Sequence, residues 1–274
     1  MANYTAADIK EIREATGAGM LDVKKALDEA DGDKAKAVEL IRVKGLKGIA
    51  KREGRSASEG LVAFDVRDVE GGQQGTLVEL NSETDFVAKN DKFVALGDEA
   101  VAAAVESGAT EPEQLADTPF GEALTNAGAT MGEKILVRRI GRVQGEVVTA
   151  YMHRTNKDLP PQVGVLVATD AAGAEVARDV AMHIAAYSPL YLTRDEVPAD
   201  QVENERRIAE ETAKNEGKPE KALPKIVEGR LNGFFKENVL LEQAFAKDAK
   251  QTVGKVLEAA GGTVTGFVRF RVGN

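Results

Sequence analysis

The sequence predicts an α+β protein: a small bundle of three N-terminal helices, then two similar α+β halves with antiparallel sheets, the second carrying an inserted helical hairpin. Three observations predict it. Residues 1–54 have apolar positions at helical spacing between glycine-bearing turns. A strand–turn–strand–helix order then appears twice, about 86–88 positions apart, which is a match of pattern, with few identities. Residues of about 198–240 break that plan with a charge-dense stretch carrying a sparse apolar seam.

In the first unit, Thr5 and Asp8 stand at capping-box spacing before Ile9, Ile12 and Arg13. "TGAG" (16–19) supplies the glycines of a tight turn. In "MLDVKKALDEA", Leu21, Val23, Ala26 and Leu27 are assigned to one side, and Ala37, Val38, Leu40 and Ile41 are the apolar positions of the third helix. A bundle this small is marginal alone, so it is expected to rest on a neighbour. The basic, glycine-rich "KGLKGIAKREGRSASEG" (44–60) reads as a linker.

The first half, 55–146, opens on "LVAFDV" and "GTLVEL" around a turn-rich segment, a hairpin signal. One helix is expected from Phe86 to Val105, since Phe86, Val87, Phe93, Val94, Val101, Ala104 and Val105 recur at helical spacing. "EKILVRRIGRV" alternates like a strand. The second half, 147–274, repeats the order with "VVTAYMH", "VGVLVAT" and "AEVARDVAMHIAAY", and closes on "TVTGFVRFRV". In the hairpin the seam is Ala209, Ala213, Ile226, Val227, Leu231 and Phe234. Such a hairpin is a solvated insertion or a contact arm, for a partner or for a second copy as a homodimer.

Composition narrows the chemistry. With 274 residues, 43% apolar and 30% charged, the chain is globular in character. There is no cysteine, which excludes disulfides and thiol catalysis and fits a cytoplasmic location. No apolar stretch approaches the roughly 20 residues of a membrane span, and the N-terminus lacks the pattern of a secretory signal. A net charge of −9 opposes binding to polyanions, so no direct nucleic-acid contact is expected, despite the basic 44–55 segment. No P-loop occurs, and "GAG" at 17–19 lies between helices, so no nucleotide, cofactor or metal is expected to be held. Of the two histidines, His153 at a strand end reads as a surface or packing residue, and His183 as packed beside Val176, Val180 and Ile184. No nucleophile–base arrangement is legible, which leaves a hydrolase unsupported.

The informative run is "NSETDFVAKNDKF" (81–93). Glu83 and Asp85 suit a helix start through the macrodipole, and Thr84 suits an N-cap. Phe86 groups with Phe93 as core by periodicity, yet it stands in a first turn among polar groups, where a ring can equally point outward.

Together with "IKEIREATGAGMLDVKKALDEADGDKAKAVELIRVKG", this run resembles the translation elongation factor Ts family, guanine nucleotide exchange factors of elongation factor Tu. "MGEKILVRRI", "VAMHIAA", "GKPEKALPKIVEGRL" and "TVGKVLEAAGGTVTGFVRFRVGN" extend the likeness over nearly the whole chain. The resemblance implies that the N-terminal bundle is ubiquitin-associated-like and that the partner is elongation factor Tu. It implies that Thr84, Asp85, Phe86 and Val87 dock on the partner's GTPase domain, the phenyl ring entering between helices and dislocating Mg²⁺. It also implies contacts by Met131, Gly132 and His153, and by Lys10, Arg13, Met20 and Leu21 of the N-terminal helices. No covalent chemistry is implied. Larger members continue past the closing strand into a helical module; this sequence ends at Asn274, so that module's contacts are expected to be absent or replaced. An adaptor without exchange activity, or an RNA-binding protein, are the rival expectations.

Overall fold

The computed structural model describes residues 3–273; Met1, Ala2 and Asn274, the ends of the expected first and last units, lie outside the described residues. Helices α1 (Ala6–Thr16), α2 (Met20–Glu29) and α3 (Lys34–Arg52) form the N-terminal unit. The Thr5 N–H donates to Asp8 Oδ2 at 2.8 Å and the Asp8 N–H to Thr5 Oγ1 at 3.3 Å, the reciprocal capping box. Lys34 Nζ lies 2.9 Å from Asp8 and 2.7 Å from Glu11, so α3 starts tethered to α1. These bonds, the Thr5 hydroxyl's first and then Lys34's, hold the Asp8 carboxyl down at about 2. A depressed carboxyl contributes stability above its unfolded value and loses it as pH falls through the folded one. An NMR titration is therefore expected to place the Asp8 midpoint near 2, well below 3.8; a midpoint at the ordinary value would mean the box is open in solution.

Ile12, Val23, Ala26, Leu27, Ala37 and Ile41 fill the bundle core. Leu21 and Val38 do not join them, being 72% and 37% exposed. At 100° per residue Leu21 points some 200° away from Val23, so the expected one-sided grouping is corrected. The linker from residue 44 is corrected too: α3 continues to Arg52. Its glycines permit contact, not flexibility. A Cβ on Gly45 would stand 1.8 Å from the Ala129 carbonyl oxygen of α6 (Pro119–Met131). Arg52 then bridges the helices, donating to the carbonyls of Gly128 at 2.9 Å and Gly45 at 2.8 Å.

The first sheet is antiparallel in the order β1 (Glu59–Val69), β2 (Gly72–Ser82), β3 (Leu136–Gly145). The expected long helix from Phe86 is two helices, α4 (Asp85–Ala88) and α5 (Asp91–Ser107). Asn90 breaks them, because its side chain accepts the Lys92 N–H at 2.9 Å and starts α5 afresh. Helix α5 lays Phe93, Ala100 and Ala104 on Leu61, Val78 and Leu80.

The second sheet repeats the plan in the order β4 (Val147–His153), β5 (Val163–Thr169), β8 (Val264–Arg271), with α7 (Ala174–Tyr187) on its outer face. The sheets pack through Val62, Leu77, Val148, Leu166 and Phe270. Between α7 and β8 come the hairpin α8 (Ala199–Asn215) and α9 (Leu223–Asn238), a short pair β6 (Ala244–Phe245) and β7 (Asp248–Thr252), and α10 (Val253–Ala259). In the hairpin Ala209, Ala213, Val227 and Leu231 are buried; Ile226 and Phe234 are half-buried, and Phe235 takes the buried place instead. Among the described residues no helix is long and apolar enough to cross a membrane.

His183 is packed as expected, fully buried and stacked on Tyr187 with centroids 4.7 Å apart. Its Nδ1 accepts the Ala246 N–H at 3.1 Å, which leaves Nε2 to donate to Gln243 Oε1 at 2.8 Å. Burial, only partly offset by Gln243, pushes the imidazole below its ordinary 6.5. The unfolded ring takes up a proton first, so this stability is complete above pH 6.5 and is lost as pH falls below it. Urea midpoints are expected to fall between pH 7.5 and 5.5, and the fall should shrink in His183→Gln; an unchanged slope in that variant would place the pH sensitivity elsewhere.

Candidate functional site

Strand β2 delivers the chain to a turn that is fastened from both sides. Thr84 is the N-cap of α4, its Oγ1 accepting the Val87 N–H at 3.4 Å while donating to Glu133 Oε1 at 2.6 Å. Glu133 Oε2 accepts the backbone N–H groups of both Glu83 and Thr84 at 3.1 Å. Glu83 reciprocates: its Oε1 accepts the Lys134 N–H at 2.6 Å, and its carboxylate pairs with Arg55 at 3.2 Å. Two loops thus exchange carboxylates for backbone donors. Burial raises the Glu133 carboxyl above its ordinary value, against the lowering effect of the Thr84 bonds.

On this clasped turn Val87 and Ala88 face inward and Phe86 faces out. Phe86 is 66% exposed, whereas Phe93 is 0% exposed. The core grouping of Phe86 is overturned, because the break at Asn90 removes it from the helix face that carries Phe93. Lys89 Nζ stands 4.4 Å from the ring centroid, and 3.9 Å from Asp85. An exposed phenyl group leaves apolar surface in water in the free chain, and covering that surface would be favourable.

The ring borders a groove of about 520 Å³ whose other wall is α1 and the start of α2: Ile9, Lys10, Arg13 and Met20 line it with Lys89 and Asn90. Lys10, Arg13 and Met20 thus meet Phe86 across one concavity. Gly17 makes the approach possible. It is left-handed with φ 75°, and a Cβ there would lie 3.1 Å from Met131 and 3.2 Å from Asn90. Leu21 is exposed on the same short helix without lining the groove.

Other expected residues fall differently. Met131 is 6% exposed and belongs to the first-half core, so its side chain is not offered outward in the free chain. Gly132 is exposed, left-handed at φ 77°, and ends α6 directly before Glu133. His153 is exposed at the end of β4, its Nδ1 3.1 Å from the Tyr151 hydroxyl, and it does not line the groove. His153 pairs with Val163 of β5, and nearby Pro161 accepts the Val62 N–H of β1 at 2.9 Å. Glu133, Lys134, Arg55 and Lys89 escaped the sequence reading. Only Lys89 carried a signal there, its i,i+4 spacing from Asp85.

Among the described residues no cluster of metal-ligating side chains occurs. An exposed apolar ring on a hydrogen-bonded turn, beside a groove rimmed by the charged side chains of Lys10, Arg13, Glu14 and Lys89, has the features of a protein-docking surface. Comparison with known proteins makes the class specific. The family model described as elongation factor TS matches residues 83–274. The chain is 66% identical to elongation factor Ts of Beutenbergia cavernae over 280 residues and to that of Micrococcus luteus over 282, with 100% of each chain covered. It is 62% identical to elongation factor Ts of an Arthrobacter species, again with 100% coverage of both. The chain belongs to the elongation factor Ts family, a membership that implies guanine nucleotide exchange on elongation factor Tu.

Proposed function

We propose that this protein binds GDP-loaded elongation factor Tu and speeds GDP release by inserting Phe86 beside the partner's Mg²⁺ site, with Thr84, Asp85 and Val87 holding the inserted turn in register. The observation that carries this reading is the outward ring on the clasped turn, 66% exposed in the free chain. A factor that prefers the empty partner must weaken the nucleotide by the same factor, by linkage. Accelerating release ~10⁴-fold needs about 5.5 kcal/mol of differential binding, while burying one phenyl group supplies about 1.5–3 kcal/mol. The ring is therefore insufficient alone. Lys10, Arg13, Met20 and Leu21 supply anchoring energy from the N-terminal helices, and Gly132 and His153 extend the docking surface from the core. Met131 supports the surface from beneath, against Gly17. No covalent bond is made or broken by this chain; GTP rebinding to the emptied partner ends the cycle.

The test is direct. Elongation factor Tu carrying labelled GDP is mixed with the chain and dissociation is followed. Release should accelerate steeply; a rate equal to that of the partner alone would reduce the protein to an adaptor.

A further inference from the structure

Strand β8 is an edge strand whose outer side is only partly satisfied. Its register with β5 pairs Val163 with Arg271 and Val165 with Arg269, and the Val272 N–H donates to the Gln162 carbonyl at 2.9 Å. In an antiparallel ladder hydrogen-bonded positions alternate, so Val268 and Phe270 bond to β5 while Phe267, Arg269 and Arg271 turn their backbone groups to the open edge. At one end that edge is closed by side chains: Arg139 Nη2 donates to the Arg271 carbonyl at 2.9 Å, and Glu79 Oε1 accepts the Gly273 N–H at 3.3 Å. The remaining N–H and C=O groups of Phe267 and Arg269 have no hydrogen-bond partner on that side among the described residues.

Along this edge runs a groove of about 530 Å³, walled by the segment Ser188–Leu192 on one side and Arg139 on the other. Leu190 lies in it 60% exposed. Arg139 and Arg269 line the groove together with Glu196, whose carboxylate accepts the Leu192 N–H at 2.7 Å, and Arg139 is paired with Glu79 at 2.6 Å. Arg269 makes no ion pair among the described residues: one guanidinium nitrogen donates to the Ala185 carbonyl, and its Nε is buried without a partner. Burial above all, then the charges of Arg271 and Arg139, depresses its pKa, and neither Arg269 nor Arg271 makes an ion pair among the described residues. Unpaired edges usually invite another strand.

We propose that the open edge of β8 and its groove dock an extended acidic segment of a partner protein, which adds as a strand. The backbone of the segment would take up the Phe267 and Arg269 groups, its carboxylates would face the arginines, and an apolar side chain would rest on Leu190. Nucleic acid fits less well, since a row of free backbone donors and acceptors beside an apolar wall matches a polypeptide.

The probe is a blocked peptide of about nine residues alternating glutamate and valine, with a lysine-for-glutamate control, titrated into the ¹⁵N-labelled full chain. In the free chain the Phe267 and Arg269 amides should exchange faster than those of Val268 and Phe270. The acidic peptide should slow them about tenfold or more, with saturable shifts confined to 266–271 and 188–192. The lysine peptide, and the variants Leu190→Ser and Arg271→Glu, should each weaken binding about tenfold, with GDP exchange unaltered in both variants. Slow exchange of Phe267 and Arg269 without peptide, absence of binding at millimolar peptide, or shifts centred elsewhere would each overturn the proposal. So would tighter, strongly salt-dependent binding of a single-stranded oligonucleotide at the same residues.

Discussion

Phe86→Ala is expected to lower the exchange efficiency on elongation factor Tu about 10- to 100-fold and to leave the folding stability of the free chain unchanged. The size follows from the lost burial of one phenyl group in the complex, about 1.5–3 kcal/mol, at 1.36 kcal/mol per tenfold in rate. The indifference of stability follows from exposure: the ring stands 66% in solvent, with Lys89 as its cationic neighbour. Exposed substitutions of this kind usually stay within about 0.5 kcal/mol. The two readouts must therefore separate. Urea denaturation and labelled-GDP release on the same preparation check this, and a destabilised variant with normal exchange per folded molecule would return Phe86 to a structural role.

Glu133→Ala should give the second largest effect, and through a residue that never needs to touch the partner. Its carboxylate receives two backbone N–H groups and the Thr84 hydroxyl. Removing it strands donors at a half-buried site, worth about 1–2 kcal/mol where water is a partial substitute. Exchange is expected to fall about tenfold, because the α4 turn is no longer held in one orientation. A double-mutant cycle isolates that cause. If Glu133 acts by presenting Phe86, then Glu133→Ala should cost exchange nearly nothing in a Phe86→Ala background; additive losses would show an independent contact. Glu133→Gln adds a pH signature. A carboxyl raised by burial costs stability as pH climbs from 4.5 through the folded value, and the amide removes that slope.

Much of the architecture was legible in the residues. The capping pair Thr5 and Asp8, the recurring strand–turn–strand–helix order, the hairpin seam at Ala209, Ala213, Val227 and Leu231, and the packing of His183 all rest on spacings within one element. Errors arose where a local pattern had two physical meanings. The glycines of 44–60 signal freedom in a linker and closeness in a helix crossing; only the arrival of the Ala129 carbonyl at Gly45 decides between them. Helical periodicity ran unbroken through Phe86 and Phe93, while the Asn90 cap that interrupts it was one polar residue among several. Met131 shows another limit, since its burial in the first-half core depends on residues distant in the chain and not on its motif.

The sequence by itself determined the fold class, through composition, periodicity and short-range caps, and the family, through the identity of its motifs. Tertiary structure alone decided the direction of the Phe86 ring, the joining of Lys10, Arg13 and Met20 to it across one groove, and the clasp of Glu133 on Thr84. The physical reason is distance along the chain. Side-chain orientation and groove shape are set by groups far apart in the chain, as in the contact between Thr84 and Glu133 with its separation of 49, and no local spacing encodes which of them will meet.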